Sequence, residues 1–243
     1  MNRRPGRHGP NLPYRLLAGV EPCPGGWLVA SAKLQGITLS PEEPRVMPSL
    51  IAVLDEKPAF EIIALAAPVG LLDTYREGGR TCERDARRLL GWRRGAAIMS
   101  APSRPALTAT TMAALTQVGG VSAAMLPLIP KIREVAAEVQ PYWQRTVFEV
   151  HPELSFYQLN GDTPMVYSKH MGVGRKERRD LLEARMPGVE RILDAQVGRA
   201  RGQHLLDAAA CLWTARRIAA RAVQRLPEDP EWDSQGLRME IVR

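Results

Sequence analysis

R-L-L-A-G-V-E-P-C-P-G-G-W-L-V-A-S-A-K-L (15–34) reads as two apolar strands closed by a tight turn. Residues 15–21 form a short apolar run, Pro22, Pro24, Gly25 and Gly26 supply turn chemistry, and 27–34 form a second run. The spacing predicts a β-hairpin with Glu21 at the mouth of its turn. Gly25 and Gly26 permit positive φ and a close approach of backbone to a ligand. Trp27, just beyond, reads as a core residue.

Working outward, residues 36–39 begin a third strand and 48–57 a short helix. E-I-I-A-L-A-A (61–67) is a nearly continuous apolar run ended by Pro68, the pattern of a strand covered on both faces beside parallel neighbours. Residues 81–90 read as a helix with Thr81 as its N-cap, and 107–118 and 122–140 are helical. Residues 145–150 form another strand. Helices follow at 152–159, 175–185, 188–197 and 202–225, and 237–242 form a last strand. Strands first, with one returning late among helices, give an α/β domain with a mixed sheet. Residues 1–13 read as a disordered basic arm and 14–243 as a single domain with a helical insertion around 98–140.

The chain has 243 residues, enough to bury a large core, and a formal net charge of +7. That balance favours an acidic partner such as nucleic acid, but weakly. Three cysteines, far apart and without a C-x-x-C pair, argue against a disulfide framework or a zinc site and for a reducing, cytoplasmic setting. The basic N-terminus lacks the apolar stretch of a secretory signal, and no run qualifies as a membrane span.

Acidic and imidazole groups stand where a core would want apolar ones. Glu21 ends an apolar run, and Glu149 closes T-V-F-E-V. His151 and Glu153 follow in E-V-H-P-E, and Glu149 and His151, two apart on a strand, share a face. Glu153 in the first turn of a helix is also what the helix dipole favours. His204 and Asp207 lie three apart on the long helix and share a face, with Asp207 embedded in L-L-D-A-A-A-C-L-W. No capping role is expected for either. Two carboxylates about 4 Å apart repel by roughly 4 kcal/mol at a surface-like dielectric, so gathering such groups requires a cation, a shared proton or a catalytic reason. R-R-L-L-G-W-R-R (87–94) and R-K-E-R-R (175–179) read as solvated helix faces that also suit phosphate contacts. G-V-G-R-K (172–176) lacks the spacing of a P-loop, and no serine sits in a G-x-S-x-G elbow.

These segments, with A-P-V-G-L (67–71), R-x-C-E-R-D-A-R-R-L-L-G-x-R (80–93), A-P-S-R (101–104), K-H-M-G-V-G-R-x-x-R (169–178) and G-L-R-M-E-I-V (236–242), resemble in order a bacterial and archaeal family of unknown function. It is domain-of-unknown-function family 429, described as predicted nucleases with an RNase-H-like fold. The resemblance implies a mixed β-sheet flanked by helices on both faces, and acids gathered from strand one, a central strand and a late helix. It implies Mg²⁺ or Mn²⁺ held by Glu21, Glu149 and Asp207, with His204 a catalytic partner and His151 and Glu153 further candidates. Arg104, Lys169 and Arg175 are then expected to contact the substrate. The family usually carries Asp where this chain has Glu21, and an acid where this chain has Ala66. The expected function is therefore a metal-dependent nuclease with one acid missing. The alternative is a catalytically inactive relative that binds nucleic acid or a protein, and a phosphotransferase ranks lower because the hairpin lacks a phosphate-binding Thr.

Overall fold

The computed structural model describes residues 13–109, 111–118 and 121–243, so the basic arm expected at the N-terminus lies almost wholly outside the described residues. In chain order the elements are β1 (Arg15–Cys23), β2 (Gly26–Gln35), β3 (Thr38–Pro41), β4 (Arg45–Met47), α1 (Leu50–Leu54), β5 (Ile62–Leu65) and α2 (Thr81–Arg94). They continue as α3 (Arg104–Thr108), α4 (Met112–Val118), α5 (Ile129–Glu138), β6 (Val147–Glu149), α6 (Pro152–Leu159), α7 (Gly172–Arg185), α8 (Glu190–Leu193), α9 (Gly202–Ala219), β7 (Arg225–Trp232) and β8 (Arg238–Val242).

The hairpin forms as the turn chemistry dictates, with Glu21 opposite Leu28 and Cys23 opposite Gly26. The main sheet runs β3-β2-β1-β5-β6, with β4 added beside β2. β1 pairs antiparallel with β2 but parallel with β5, and β5 pairs parallel with β6, so the sheet is mixed. β7 and β8 form a separate antiparallel ribbon.

Side-chain alternation along β1 divides the core in two. Leu17, with Ile62 and Ala64 of β5, packs under α6–α9; Leu16, Ala18 and Val20, with Ile63 and Leu65, pack under α1 and α5. Helices therefore cover both faces. α9 crosses β1 so closely that a Cβ on Gly19 would lie 2.2 Å from the Ala208 carbonyl oxygen and 2.2 Å from the Leu212 nitrogen. Glycine is required at position 19 for that approach.

Several boundaries differ from expectation. α2 runs on to Arg94 through Gly91, whose left-handed φ of 65° interrupts the helix. Arg80, not Thr81, holds its N-cap position, and the Glu83 carboxylate accepts the Arg80 N–H at 2.9 Å. β7 (R-L-P-E-D-P-E-W) was not expected, because it is polar and carries two prolines; a strand in a two-stranded ribbon has an outer edge that tolerates both.

Candidate functional site

Residues 17, 19 and 21 of β1 share the face under α9. Glu21 therefore points toward the helix that carries Asp207, two residues beyond the point of closest approach. Asp207 is 1% exposed, within a stretch of α9 buried from Leu205 to Leu212. Burial is the largest cause raising both carboxyl groups, and the charge of Asp207 lifts Glu21 further, well above its usual value. Cys211, one turn on from Asp207, is fully buried beside both acids, and its thiol is pushed up by burial and by their charges.

One cation answers this pair. Lys169 donates from Nζ to Asp207 Oδ2, and both acids hold its ammonium protonated although burial opposes this. Lys169 sits in the turn before α7, and that turn is fixed from below. The Arg178 guanidinium, fully buried, donates to Glu153 at 2.9 and 3.0 Å, to the Tyr167 carbonyl at 2.8 Å and to the Gly174 carbonyl at 3.0 Å. Arg178 is thus the positioning residue for the Lys169 turn. Arg175 clamps the same turn through the His170 carbonyl at 2.9 Å, so it holds Lys169 in place instead of reaching outward.

The other expected residues lie nearby in different roles. Glu149 does not join Glu21 and Asp207. It shares a strand face with Val147, which packs in the α1/α5 cluster on the opposite side of the sheet. Arg80, 1% exposed, grips it with Nη2 at 2.5 Å and Nη1 at 2.8 Å, and the Val69 N–H donates to it at 2.6 Å. The same guanidinium donates to the Gly70 carbonyl at 3.0 Å and to Glu83 at 2.8 Å. This buried triad anchors the turn after β5, just beyond Ala66.

Glu153 is taken up by Arg178 and by Arg94 at 2.7 Å; burial opposes ionisation, yet these two arginines hold it below its usual value. His151 caps α6 by accepting the Glu153 N–H at Nδ1, 3.2 Å, and a further hydrogen bond reaches the Ala97 backbone. Burial and the Lys169 charge push its pKa down to about 4, so it is neutral and engaged. Contrary to expectation His204 does cap: its Nδ1 accepts the Arg201 N–H at 2.9 Å, at the start of α9. It still feels the Asp207 and Lys169 charges. Arg104 pairs with Asp233 and, at 3.5 Å, with Asp73, which ties α3 to the loop after β7.

A cleft opens at the carboxyl ends of β1, β5 and β6, lined among others by Pro22, Ala66, Met99, Lys131 and His151. In open α/β sheets this is the edge where ligands bind. Glu21, Asp207 and Lys169 are not among the residues that line the cleft, and the two acids offer donors for at most one divalent ion. Asp207 Oδ1 is buried without a hydrogen-bond partner, and the Glu21 carboxylate accepts none among the described residues. Mg²⁺ takes one or two carboxylates and keeps several waters for the rest of its shell. Among the described residues no group of three or more acidic, imidazole or thiol side chains is arranged to hold a metal.

The family model described as "Protein of unknown function (DUF429)" matches residues 19–232. The chain belongs to the DUF429 family. No curated protein and no solved structure matches it. No helix among the described residues of this DUF429 protein is long and apolar enough to cross a membrane.

The strained acid pair has a measurable signature. The folded DUF429 chain binds a proton at Glu21 more tightly than the unfolded chain does, so stability falls as pH rises above the ordinary carboxylate value of 4.5. Glu21→Gln removes that liability. Each unit of elevation is worth about 1.4 kcal/mol, or roughly 3–6 °C in a domain of this size. Without divalent ions the variant is expected to melt higher than wild type at pH 8, with the gap closing as pH falls toward 4.5. Equal melting temperatures at pH 8 would show that the two acids are not under strain.

Proposed function

We propose that this protein is an RNase-H-like phosphodiesterase that acts on nucleic acid with one Mg²⁺ or Mn²⁺. The carrying observation is the convergence of Glu21 from β1 and Asp207 from α9 beside Lys169, with Asp207 Oδ1 buried and unpaired. The mixed sheet with helices on both faces supports the fold assignment, and the basic net charge supports the substrate class.

Glu21 and Asp207 Oδ1 would hold the ion, which when bound polarises a phosphoryl oxygen and acidifies water. The side chains supply the rest. Lys169 keeps Asp207 Oδ2 occupied, so one oxygen remains for a ligand and the other stays fixed. Its ammonium is held charged, which suits a phosphate oxygen and excludes it as a general base. His204, three residues before Asp207, holds the first turn of α9 and so orients Asp207. The neutral imidazole of His151 excludes a charged competitor from the cleft wall.

A second reading keeps the fold without hydrolysis. Lys169 already balances Asp207, Arg80 already neutralises Glu149, and Ala66 brings no third acid. Such a protein would bind nucleic acid and leave it intact.

Calorimetric titration with Mn²⁺, paired with cleavage of single-stranded, double-stranded, branched and RNA–DNA hybrid substrates, separates the two. Wild type is expected to bind one Mn²⁺ per chain and to cut at least one substrate. Asp207→Asn is expected to lose more than the roughly 10–100-fold in affinity that removal of an outer partner costs. A wild type that binds no divalent ion and cuts nothing rules out the hydrolase. An Asp207→Asn variant that binds and cuts like wild type rules out this site.

A further inference from the structure

The C-terminal end of α2 carries the most exposed aromatic side chain among the described residues, Trp92, at 88%. The sequence alone makes R-R-L-L-G-W-R-R an ordinary solvated helix face. Trp92, two residues after Leu90, lies off the buried row of Cys82, Ala86 and Leu90. Gly91, at φ 65° and ψ −174°, breaks the helical frame just before it. A residue without Cβ takes that conformation at no steric cost. The result is an indole held out in water, where neither burial nor a hydrogen bond to its own chain explains it.

The charges around it are not equivalent. Arg87 donates to the Gly78 carbonyl and to Ser100, Arg88 pairs with Asp85, and Arg94 is committed to Glu153. Arg93 has no carboxylate partner among the described residues, and its guanidinium lies 5.2 Å from the Trp92 ring centroid. A free positive charge already rests on a free aromatic plate. Of the acids that contact this helix from other elements, Glu231 lies at its far end, against the Thr81 N–H, and Glu153 at the near end is taken up by Arg94 and Arg178.

This end of α2 also leads into the candidate site. Arg94 holds Glu153 beside His151, the Ala97 backbone meets His151, and Met99 lines the cleft. Five residues separate Trp92 from Ala97, a span of at most about 18 Å. A small ligand does not bridge that distance, but a few nucleotides of extended strand do.

We propose that Trp92 is a stacking platform for an unpaired base of single-stranded nucleic acid, with Arg93 pairing a neighbouring phosphate. This rests on the nucleic-acid part of the function proposed above. Such platforms combine an aromatic face, which any base can stack on, with basic groups that follow the backbone.

The test uses the full chain without divalent ions, so that binding is read without cleavage. Labelled oligothymidylate and an abasic strand of equal length are titrated against wild type, Trp92→Ala, Trp92→Phe and Arg93→Ala at several salt concentrations. Trp92→Ala is expected to weaken oligothymidylate binding roughly five-fold or more, with abasic binding and the salt slope unchanged, and Trp92→Phe to retain most of the affinity. Arg93→Ala is expected to reduce the salt slope by about 0.7, the value for one single-strand phosphate contact. Exposure of Trp92 makes loss of folding no confounder. The inference is overturned if Trp92→Ala binds both strands as wild type does, or if wild type binds neither, the result expected of an indole that serves a protein partner. Weakened binding by Trp92→Ala in a protein that cuts nothing upholds the platform and removes the hydrolase. Cleavage with an indifferent Trp92 does the reverse.

Discussion

Arg80→Ala is expected to lower the melting temperature by about 6–20 °C. Arg80 is buried and divides its guanidinium between Glu149 and Glu83. Its removal strands two carboxylates in the interior, and breaking a buried pair from one side costs about 3–5 kcal/mol. At roughly 2–4 °C per kcal/mol in a chain of this length, that gives the stated range. Loss of the hydrogen bond to the Gly70 carbonyl also frees the turn after β5. The double variant Arg80→Met, Glu149→Gln tests the cause. It leaves no charge at 149 and keeps an oxygen for the Val69 N–H, so it is expected to recover much of the loss. A single variant that melts within about 2 °C of wild type would show that the triad is not a structural anchor.

Gly19→Ala is expected to damage stability and the candidate site together. Its Cβ would meet two backbone atoms of α9 at 2.2 Å, more than about 1 Å short of ordinary contact. Neither neighbour is a side chain that can turn aside, so the helix must move. Overpacking of this kind costs about 1–3 kcal/mol. The shift carries Asp207 away from Glu21, and a 1 Å misplacement of reacting groups can cost about 10²-fold in rate. Gly202→Ala is the control, since a Cβ there meets nothing within 4 Å. Melting curves and Mn²⁺ titrations of the two variants give the comparison. If Gly19→Ala behaves like Gly202→Ala in both, the close crossing does not set the site.

The strands of the hairpin, the buried β5 and the whole of α6 are legible in the sequence because apolar period and turn residues agree there. β7 is not, since its pairing with β8 and not its own composition makes it a strand. Glu21 and Asp207 were found by one signal, an acid in an apolar setting, and the fold brings them together. Glu149 gives the same signal and ends on the other side of the sheet. Which face a strand residue takes depends on register, through Leu65 opposite Glu149, and no single segment contains that information. Arg80 and Arg178 were missed for a related reason. A buried carboxylate announces that it needs a counter-charge, but among 33 lysines and arginines nothing local marks the one that supplies it.

The Lys169 turn divides the site between two kinetic regimes. β1 is flanked by β2 and β5 and covered on both faces, so its amides should exchange with solvent only when the whole domain opens. Residues 166, 167, 170 and 171 are exposed, and their segment is held through a few hydrogen bonds from Arg175 and Arg178. The acids thus belong to the slowest part of the molecule and their counter-charge to a faster one. A brief lift of that segment hydrates two carboxylates whose burial is unfavourable, so part of the cost of opening is returned by what it uncovers. Amide exchange at 166–171 against 16–20 reads that division directly, and equal protection of the two segments would refute it.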